Sequence, residues 1–180
     1  MSDDWKLLNT STASGASSVE FTDLTGYKIF KFVCIDINVS TNSDNFTFQV
    51  NASGQSGFNE VMTTTAFRAY HNESGSTTGL DIDSGSQDQA QGTAYQTLSQ
   101  SLGNGADECC AGELHLFNPA STTYVKHFYS RFNGYHDSDF SMGDFVAGYI
   151  NTTSAITQIS FKPESNTFDG VIKQYGLVAT

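Results

Sequence analysis

Clustered carboxylates are the first feature of the sequence that could support chemistry. Asp81 and Asp83 stand two residues apart, and Asp88 follows close behind. Hard cations such as Ca²⁺ bind clustered carboxylate oxygens, so the stretch is similar to a calcium loop. An EF-hand loop also needs a third ligand, then a glycine and a distal glutamate, whereas here Gly85 comes too early and no glutamate follows at the right distance. We therefore interpret the stretch as a solvated turn, keep Asp81, Asp83 and Asp88 only as weak metal candidates, and predict no metal site and no cofactor.

Three histidines form the second polar group. His136 stands beside Asp137 and close to Asp139, while His115 and His127 lie in the segment before it. Three neighbouring imidazoles can bind a transition metal, but these spacings match no known site. We interpret the histidines as surface or interface residues with hydrogen-bond partners.

No catalytic motif stands out along the chain. The nucleophile elbow G-x-S-x-G, the zinc motif H-E-x-x-H and the P-loop are absent from the sequence. Glu108 and Glu113 could be considered an acid–base pair, yet two carboxylates alone say nothing about their reach across a substrate. A hydrolase would require a pair of perturbed acids in a cleft. We predict that the protein is not an enzyme and that it has no catalytic residues.

Four aromatic residues lie in segments that we predict to be polar loops, and they are candidates for contact with a glycan or a partner. They are Tyr70, Tyr135, Phe140 and Tyr149. Such rings can stack on sugars, but they can also fix loops to the core or pack between subunits, which is the interpretation we favour. Coplanar exposed rings beside Asp and Asn on one face would identify a glycan site.

The cysteines do not form a disulfide framework. Cys34 lies in a strongly apolar segment and is expected to be buried. Cys109 and Cys110 are adjacent and lack C-x-x-C spacing, so they are poor ligands for one tetrahedral metal. A strained vicinal disulfide is the alternative to two reduced thiols, and the reduced form is favoured by a cytosolic origin.

The N-terminal residues 1–18 are predicted to form an extended arm and linker ahead of a domain that spans residues 19–180. Small polar residues dominate positions 10–18 and offer nothing to a core. Trp5, Leu7 and Leu8 precede this stretch, and large apolar side chains on an arm usually pack against something. The arm could dock on its own domain or on a neighbouring subunit, so these three residues are candidates for an interface.

The elements that must position these residues are strands. A hairpin over residues 112–132 is the central signal, with Leu114 and Leu116 on one face of its first strand. Asn118 and Pro119 mark its turn, because Asn favours the first position of a type I turn and Pro pre-sets φ at the second. Both faces of the return strand carry apolar or aromatic residues, so we expect the hairpin to be covered on both sides by a core or a subunit interface.

About nine strand candidates alternate with turns along the chain, the spacing typical of an all-β sandwich. The fold class is therefore predicted as all-β: a single antiparallel β-sandwich, jelly-roll-like, with an extended N-terminal arm. Residues 71–92 are rich in turn residues and are predicted to form a long loop with a functional or interface role.

The charge balance excludes several classes of partner. The chain has 180 residues, with 8 Lys and Arg against 19 Asp and Glu, so its formal net charge is −11. Nucleic-acid binders need a basic footprint, and anionic membrane surfaces repel such a chain. The sequence shows no signal peptide and no apolar run long enough to span a bilayer. We expect synthesis in a cytosol, no nucleic acid and no membrane insertion.

Segments spread from Trp5 to Leu177 give the chain a resemblance to a known group. They are Phe67-Arg-Ala-Tyr-His71, Ala90-Gln-Gly-Thr93, Gly112-Glu-Leu-His-Leu-Phe-Asn-Pro119, Thr123-Tyr-Val-Lys-His-Phe128, Val146-Ala-Gly-Tyr-Ile150 and Gly170-Val-Ile-Lys-Gln-Tyr-Gly176. The chain resembles the small β-sandwich virion structural proteins of marine tailed phages, of the cyanophage and pelagiphage type. The ending Ile-Lys-x-Tyr-Gly is the most specific feature. Gln174 stands where an apolar residue is expected, which predicts a different outer face for the last strand.

The resemblance implies a role in assembly or receptor contact. The leading hypothesis is a phage virion structural protein, either a capsid decoration (cement) protein or a subunit of a fibre or tail appendage, made in the host cytoplasm and located in the virion. Its expected partners are itself, as a homo-oligomer with a trimer favoured, other virion proteins such as the major capsid or tail proteins, and a host surface glycan. The alternative hypothesis is a carbohydrate-binding β-sandwich module for receptor recognition.

Overall fold

The computed structural model describes residues 4–82 and 87–177, and within them the chain is built from strands. The strands are β1 (Trp5–Ala16), β2 (Val19–Phe21), β3 (Ile29–Val39), β4 (Asp44–Ala52), β5 (Met62–Asn72), β6 (Thr78–Ile82), β7 (Ala90–Gly92), β8 (Gln96–Leu102), β9 (Cys110–Phe117), β10 (Lys126–His136), β11 (Phe140–Ile150), β12 (Ile156–Pro163) and β13 (Phe168–Leu177). The described ranges contain no helix long and apolar enough to cross a membrane.

Eight of the strands follow a jelly-roll path. The first of these eight pairs with the last, β1 with β13, and the second pairs with the seventh, β2 with β12. The third pairs with the sixth, β3 with β9, and the fourth pairs with the fifth, β4 with β8. All pairings are antiparallel, as expected for a long hairpin rolled into two facing sheets. The predicted jelly-roll-like sandwich is confirmed.

Two insertions extend one of the sheets. Strands β5–β7 lie between β4 and β8 in the chain, and β10–β11 lie between β9 and β12. They continue the sheet beyond β9, so that a long sheet runs β1-β13-β3-β9-β10-β11-β5, with β6 and β7 paired to β5. The short sheet runs β2-β12-β4-β8. One pair of residues, His136 and Leu102, joins the two sheets along one side.

Aromatic rings fill the space between the sheets. Phe161 of β12 is fully buried and contacts four other rings, those of Phe21, Phe32, Phe46 and Phe48, at centroid distances of 6.3, 5.3, 6.2 and 6.4 Å. Each such pair contributes roughly 0.5–1.5 kcal/mol beyond the burial of its area. Because these rings come from both sheets, they hold the sandwich together.

The N-terminal segment is extended, but the prediction of a linker at residues 10–18 is wrong. Strand β1 pairs with β13 from Trp5, opposite Leu177, to Ala16, opposite Phe168. An edge strand forms backbone hydrogen bonds to one neighbour only, and these bonds do not require large side chains. Ala13 of this strand is buried. The boundary placed at residue 18 falls in the short connection between β1 and β2.

The prediction of a loop at residues 71–92 needs correction, because this segment contains β6 and β7, which add to the edge of β5. Asn-Gly is a dipeptide typical of turns, yet Asn133 and Gly134 lie inside β10, and the chain reverses at residues 137–139. Gly134 is needed because a Cβ there would lie 2.7 Å from both Leu102 Cδ2 and Ser99 Oγ of β8. The turn at Asn118 is confirmed, since Ser121 N donates to Asn118 O at 3.0 Å.

Several buried polar side chains are held by carbonyl groups. The Lys126 side chain is 0% exposed, and its Nζ donates to Thr152 O at 3.0 Å and to Ser154 O. Burial lowers the pKa of this ammonium group. Gln174 is buried as well and donates to Asp23 O at 2.9 Å, so the prediction that it lies on an outer face is wrong. These contacts tie loops to the sheets.

We predict that Phe161→Ala destabilises the fold by about 3–5 kcal/mol, because it opens a cavity where four rings meet. Tyr124→Ala is the control, since Tyr124 is 70% exposed in the connection between β9 and β10, and it should change stability by less than about 0.5 kcal/mol. Urea unfolding followed by circular dichroism measures both. Equal effects of the two substitutions would show that Phe161 is not central to the core.

Candidate functional site

The outer face of the long sheet is the principal candidate for a functional surface. Along β10, buried and exposed residues alternate, with Phe128 and Phe132 inside and Tyr129 and Arg131 outside. This alternation follows from the period of two in a strand. The outward set, here called the aromatic face, comprises Trp5, Leu7, Phe67, Leu80, Ile82, His115, Phe117, Tyr129, Phe145, Tyr149 and Tyr175. One face of the hairpin is covered by the core as expected, and the expected cover of the other face by a subunit interface stays a prediction.

One row of the aromatic face crosses five strands. Register aligns Leu7 with Tyr175, Tyr175 with Lys31, Lys31 with His115, and His115 with Tyr129. The rings of His115 and Tyr129 are stacked, with centroids 4.7 Å apart and planes inclined by 12°. Cross-strand pairs of this kind stabilise a sheet and fix the positions of the rings.

Trp5 is anchored to this row from strand β1. Its ring meets that of His115 edge-on at 5.7 Å, and the Lys31 ammonium lies 4.5 Å from its centroid. Leu7 is 50% exposed on the same face, whereas Leu8 points inward and packs against the core. Trp5 and Leu7 therefore belong to the aromatic face, and Leu8 does not.

A second row contains another stacked ring pair. Arg131 is opposite Phe145, Phe145 is opposite Phe67, and Phe67 is opposite Ile82. The rings of Phe67 and Phe145 stack at 4.7 Å with an interplanar angle of 4°, and the Arg131 guanidinium lies 5.4 Å from the Phe145 centroid. Phe67 is 45% exposed and Ile82 80% exposed, so this apolar row lies open to solvent.

Small residues between the aromatic rows leave a groove. Thr65 and Ala147 form its floor, with Phe67 and Phe145 along one side and Tyr149 along the other. Two adjoining hollows have volumes of about 490 and 280 Å³. A groove of this kind can receive protruding side chains from another protein.

Charge on the aromatic face differs from that of the whole chain. Lys31, Arg131 and Lys173 lie on outward positions of β3, β10 and β13, and Glu113 lies among them, 3.2 Å from His115. The chain as a whole has a formal charge of −11, so its acidic excess is located elsewhere. A second protein surface can therefore approach this face without burying many carboxylates.

A second candidate lies where β10 turns into β11, and we call it the tip cleft. Its volume is about 430 Å³, and its lining includes Asn72, Glu73, Asp107, Asn133, Tyr135 and Phe140. Backbone hydrogen bonds hold its walls: Tyr135 N donates to Cys109 O at 3.0 Å, and Glu73 N donates to Asp139 O at 2.9 Å. Three separate segments thus meet around one hollow.

The aromatic side chains of the tip cleft are held in place. The Tyr135 hydroxyl donates to Asp139 Oδ1 at 3.0 Å, and this carboxylate raises the pKa of Tyr135 to about 12. The Phe140 ring meets Tyr70 edge-on at 5.8 Å and His136 edge-on at 5.7 Å. The two rings of the cleft are therefore fixed by neighbours before any ligand arrives.

The four aromatic candidates from the sequence are divided between the two sites. Tyr135 and Phe140 line the tip cleft, and Tyr70 supports Phe140. Tyr149 lies in the groove of the aromatic face, with His127 6.1 Å away. The prediction that these four residues occupy loops is wrong, because Tyr70 lies in β5, Tyr135 in β10, and Phe140 and Tyr149 in β11.

The polar clusters predicted from sequence do not assemble into one site. Asp81 lies in β6 with its carboxylate 3.8 Å from the Arg68 guanidinium, and Asp83 lies outside the described residues. Glu108 accepts a hydrogen bond from Gly105 N at 2.6 Å within its own loop. Across residues 4–82 and 87–177, no group of three His, Cys, Asp or Glu side chains, Asp88 included, could hold a metal ion. Cys34, Cys109 and Cys110 are free thiols.

The most perturbed acid is one that the sequence analysis missed. Asp144 lies on the buried side of β11, and it accepts hydrogen bonds from Ser99 Oγ at 3.1 Å and Gln100 N at 3.4 Å. Burial raises its pKa to about 6. The hollow beside it measures only about 10 Å³, room for one water molecule at most, so a substrate cannot reach it. Asp144 therefore acts as a structural acid.

Comparison of the chain with family models, with curated proteins and with solved structures gives no match. The proposals that follow are therefore supported by the geometry above and by the resemblance described from the sequence.

Asp144→Asn is expected to stabilise the protein more at neutral pH than at acid pH. Because the pKa of Asp144 is raised in the folded state, its contribution to stability is complete below about pH 4 and is lost as the pH rises through about 6. The advantage of the variant should grow by up to about 3 kcal/mol between pH 3.5 and 7.5. Urea unfolding at several pH values measures it. Asp107→Asn, at an exposed site, is the control, and parallel curves for wild type and Asp144→Asn would contradict the prediction.

Proposed function

We propose that the protein is a phage virion structural protein that assembles by packing its aromatic face against further copies of itself. The observation that carries the proposal is this face, a continuous outward surface of rings and aliphatic side chains on the long sheet. The resemblance to marine tailed-phage structural proteins supports a place in the virion, as a capsid decoration protein or a subunit of a fibre or tail appendage. We favour a trimer, the state that the resemblance implies.

The composition of the aromatic face supports a protein interface. Aromatic residues and Arg are enriched at the centres of interfaces, whereas Asp and Glu are depleted. Tyr129 and Phe67 are each more than 40% exposed, and Arg131 lies beside them. Contiguous exposed apolar patches on a monomer usually mark such a surface, because leaving them in water is unfavourable.

The arrangement of charge favours another copy of this chain as the occupant. Glu113 of one copy can pair with Lys31, Lys173 or Arg131 of the next, since all four lie on the same face. The acidic remainder of the surface keeps assemblies apart from one another in solution. Binding in register through fixed rings also costs little side-chain entropy, because the rings are already stacked.

We predict that Phe67→Glu converts the assembly into monomers. A carboxylate in the centre of an apolar interface must be desolvated, and the dissociation constant of the oligomer should rise about 30-fold or more. Tyr124→Glu is the matched control, because it replaces an exposed aromatic residue outside the aromatic face and should leave the oligomer intact. Analytical ultracentrifugation gives the masses, with circular dichroism to confirm that both variants fold.

The same experiment defines what would overturn the proposal. If the wild-type protein remained monomeric at every concentration, the proposal that the aromatic face drives self-assembly would be wrong. The wild-type mass should be the same with EDTA as with millimolar Ca²⁺, because the contacts proposed are apolar. The place in the virion is tested separately by peptide mass spectrometry of purified particles, and detection of the chain only outside the particles would contradict it.

A further inference from the structure

We propose that the tip cleft binds a neutral saccharide. The cleft is formed by the segments inserted into the jelly roll, namely the β5–β6 and β10–β11 hairpins, together with the connection from β8 to β9. The eight jelly-roll strands need none of these hairpins to complete their pairing. Inserted hairpins whose ends meet around a hollow are typical carriers of binding sites.

Size and shape suit one or two sugar rings. The cleft measures about 430 Å³ and is open on one side. Ligand pockets are usually 300–1,000 Å³ and combine apolar walls with a few placed polar groups. Tyr135 and Phe140 supply the apolar surface on which the C–H face of a pyranose can stack. Both rings are held by neighbouring side chains, so stacking a sugar on them costs little side-chain entropy.

The polar groups of the cleft are suited to hydroxyl groups. Asp107 is exposed, and within the described part of the chain its carboxylate has no hydrogen-bond partner. Glu73 also lines the cleft, near the Tyr135 hydroxyl. Carboxylates accept hydrogen bonds from sugar hydroxyls, and charge-assisted hydrogen bonds of this kind are strong. Two carboxylate acceptors from separate segments of the chain would help to orient a sugar ring in the cleft.

Electrostatics select among saccharides. Glu73 and Asp107 line the cleft, Asp139 accepts a hydrogen bond from its Tyr135, and the chain carries a net charge of −11. Sialylated, sulfated or phosphorylated sugars would meet like charge, which is unfavourable. The described residues also hold no cluster that could place a metal ion between an acidic sugar and these carboxylates. The ligand class is therefore a neutral saccharide.

The test uses a glycan array that pairs neutral oligosaccharides with their sialylated and sulfated counterparts. The wild-type protein should bind neutral members and reject the acidic ones. Tyr135→Ala should weaken binding about tenfold or more by removing the stacking ring, and Asp107→Asn about tenfold by removing a charged acceptor. Tyr124→Ala, outside the cleft, is the control and should bind as wild type does.

Further variants and outcomes test the saccharide site. Tyr135→Phe keeps the ring and should retain most of the affinity, which separates stacking from damage to the turn at Asp139. Binding of acidic members alone, or no loss in Tyr135→Ala or Asp107→Asn, would overturn the proposal. Phe67→Glu separates this inference from the proposed assembly, because NMR titration with a neutral oligosaccharide should give an unchanged dissociation constant in that variant. Array binding of Phe67→Glu should nevertheless fall as multivalency is lost.

Discussion

The packing of aromatic rings between the two sheets is the constraint on which the rest of the structure depends. Phe161 touches rings from both sheets and thereby fixes which side of each strand faces inward. Side chains alternate along a strand, so burying Phe128 and Phe132 forces Tyr129 and Arg131 to the other side. The aromatic face is therefore a direct consequence of the core, and its rows follow from the register that the core imposes. A one-residue shift of β10 would exchange the two sets.

The inserted strands serve both the core and the outer surface. Eight strands complete the jelly-roll pairing, while β5–β7, β10 and β11 lengthen one sheet. Phe128 and Phe132 of β10 pack against rings of β4 in the core. That lengthening provides the far half of the aromatic face and, where its hairpins end, the tip cleft. An assembly held together by the aromatic face would present several tip clefts at once. Weak binding at each cleft would then combine into a higher overall avidity. The two proposals are thus linked by geometry although each stands on separate contacts.

The sequence by itself determined the class of the fold, because strand periodicity is local. The period-2 pattern over residues 112–132 located β9 and β10, and Asn118 with Pro119 located the turn between them. The aromatic residues on both faces of the hairpin also indicated a second apolar surface besides the core. Tyr135 and Phe140 line the tip cleft, and their contact with a glycan or partner stays a prediction. Predictions of strands and turns succeed when neighbours along the chain decide the outcome.

Only the tertiary structure decided the features that depend on distant partners. Residues 10–16 have no strand signal of their own, and they form β1 because β13 offers a free edge. Gly134 extends a strand where its dipeptide suggested a turn, because β8 passes too close for a side chain. Asp144 is buried by elements far away in sequence, and Glu73, Asp107 and Tyr135 meet in one cleft for the same reason. Edge pairing, close approach and burial are properties of contacts between distant segments, which local periodicity does not encode.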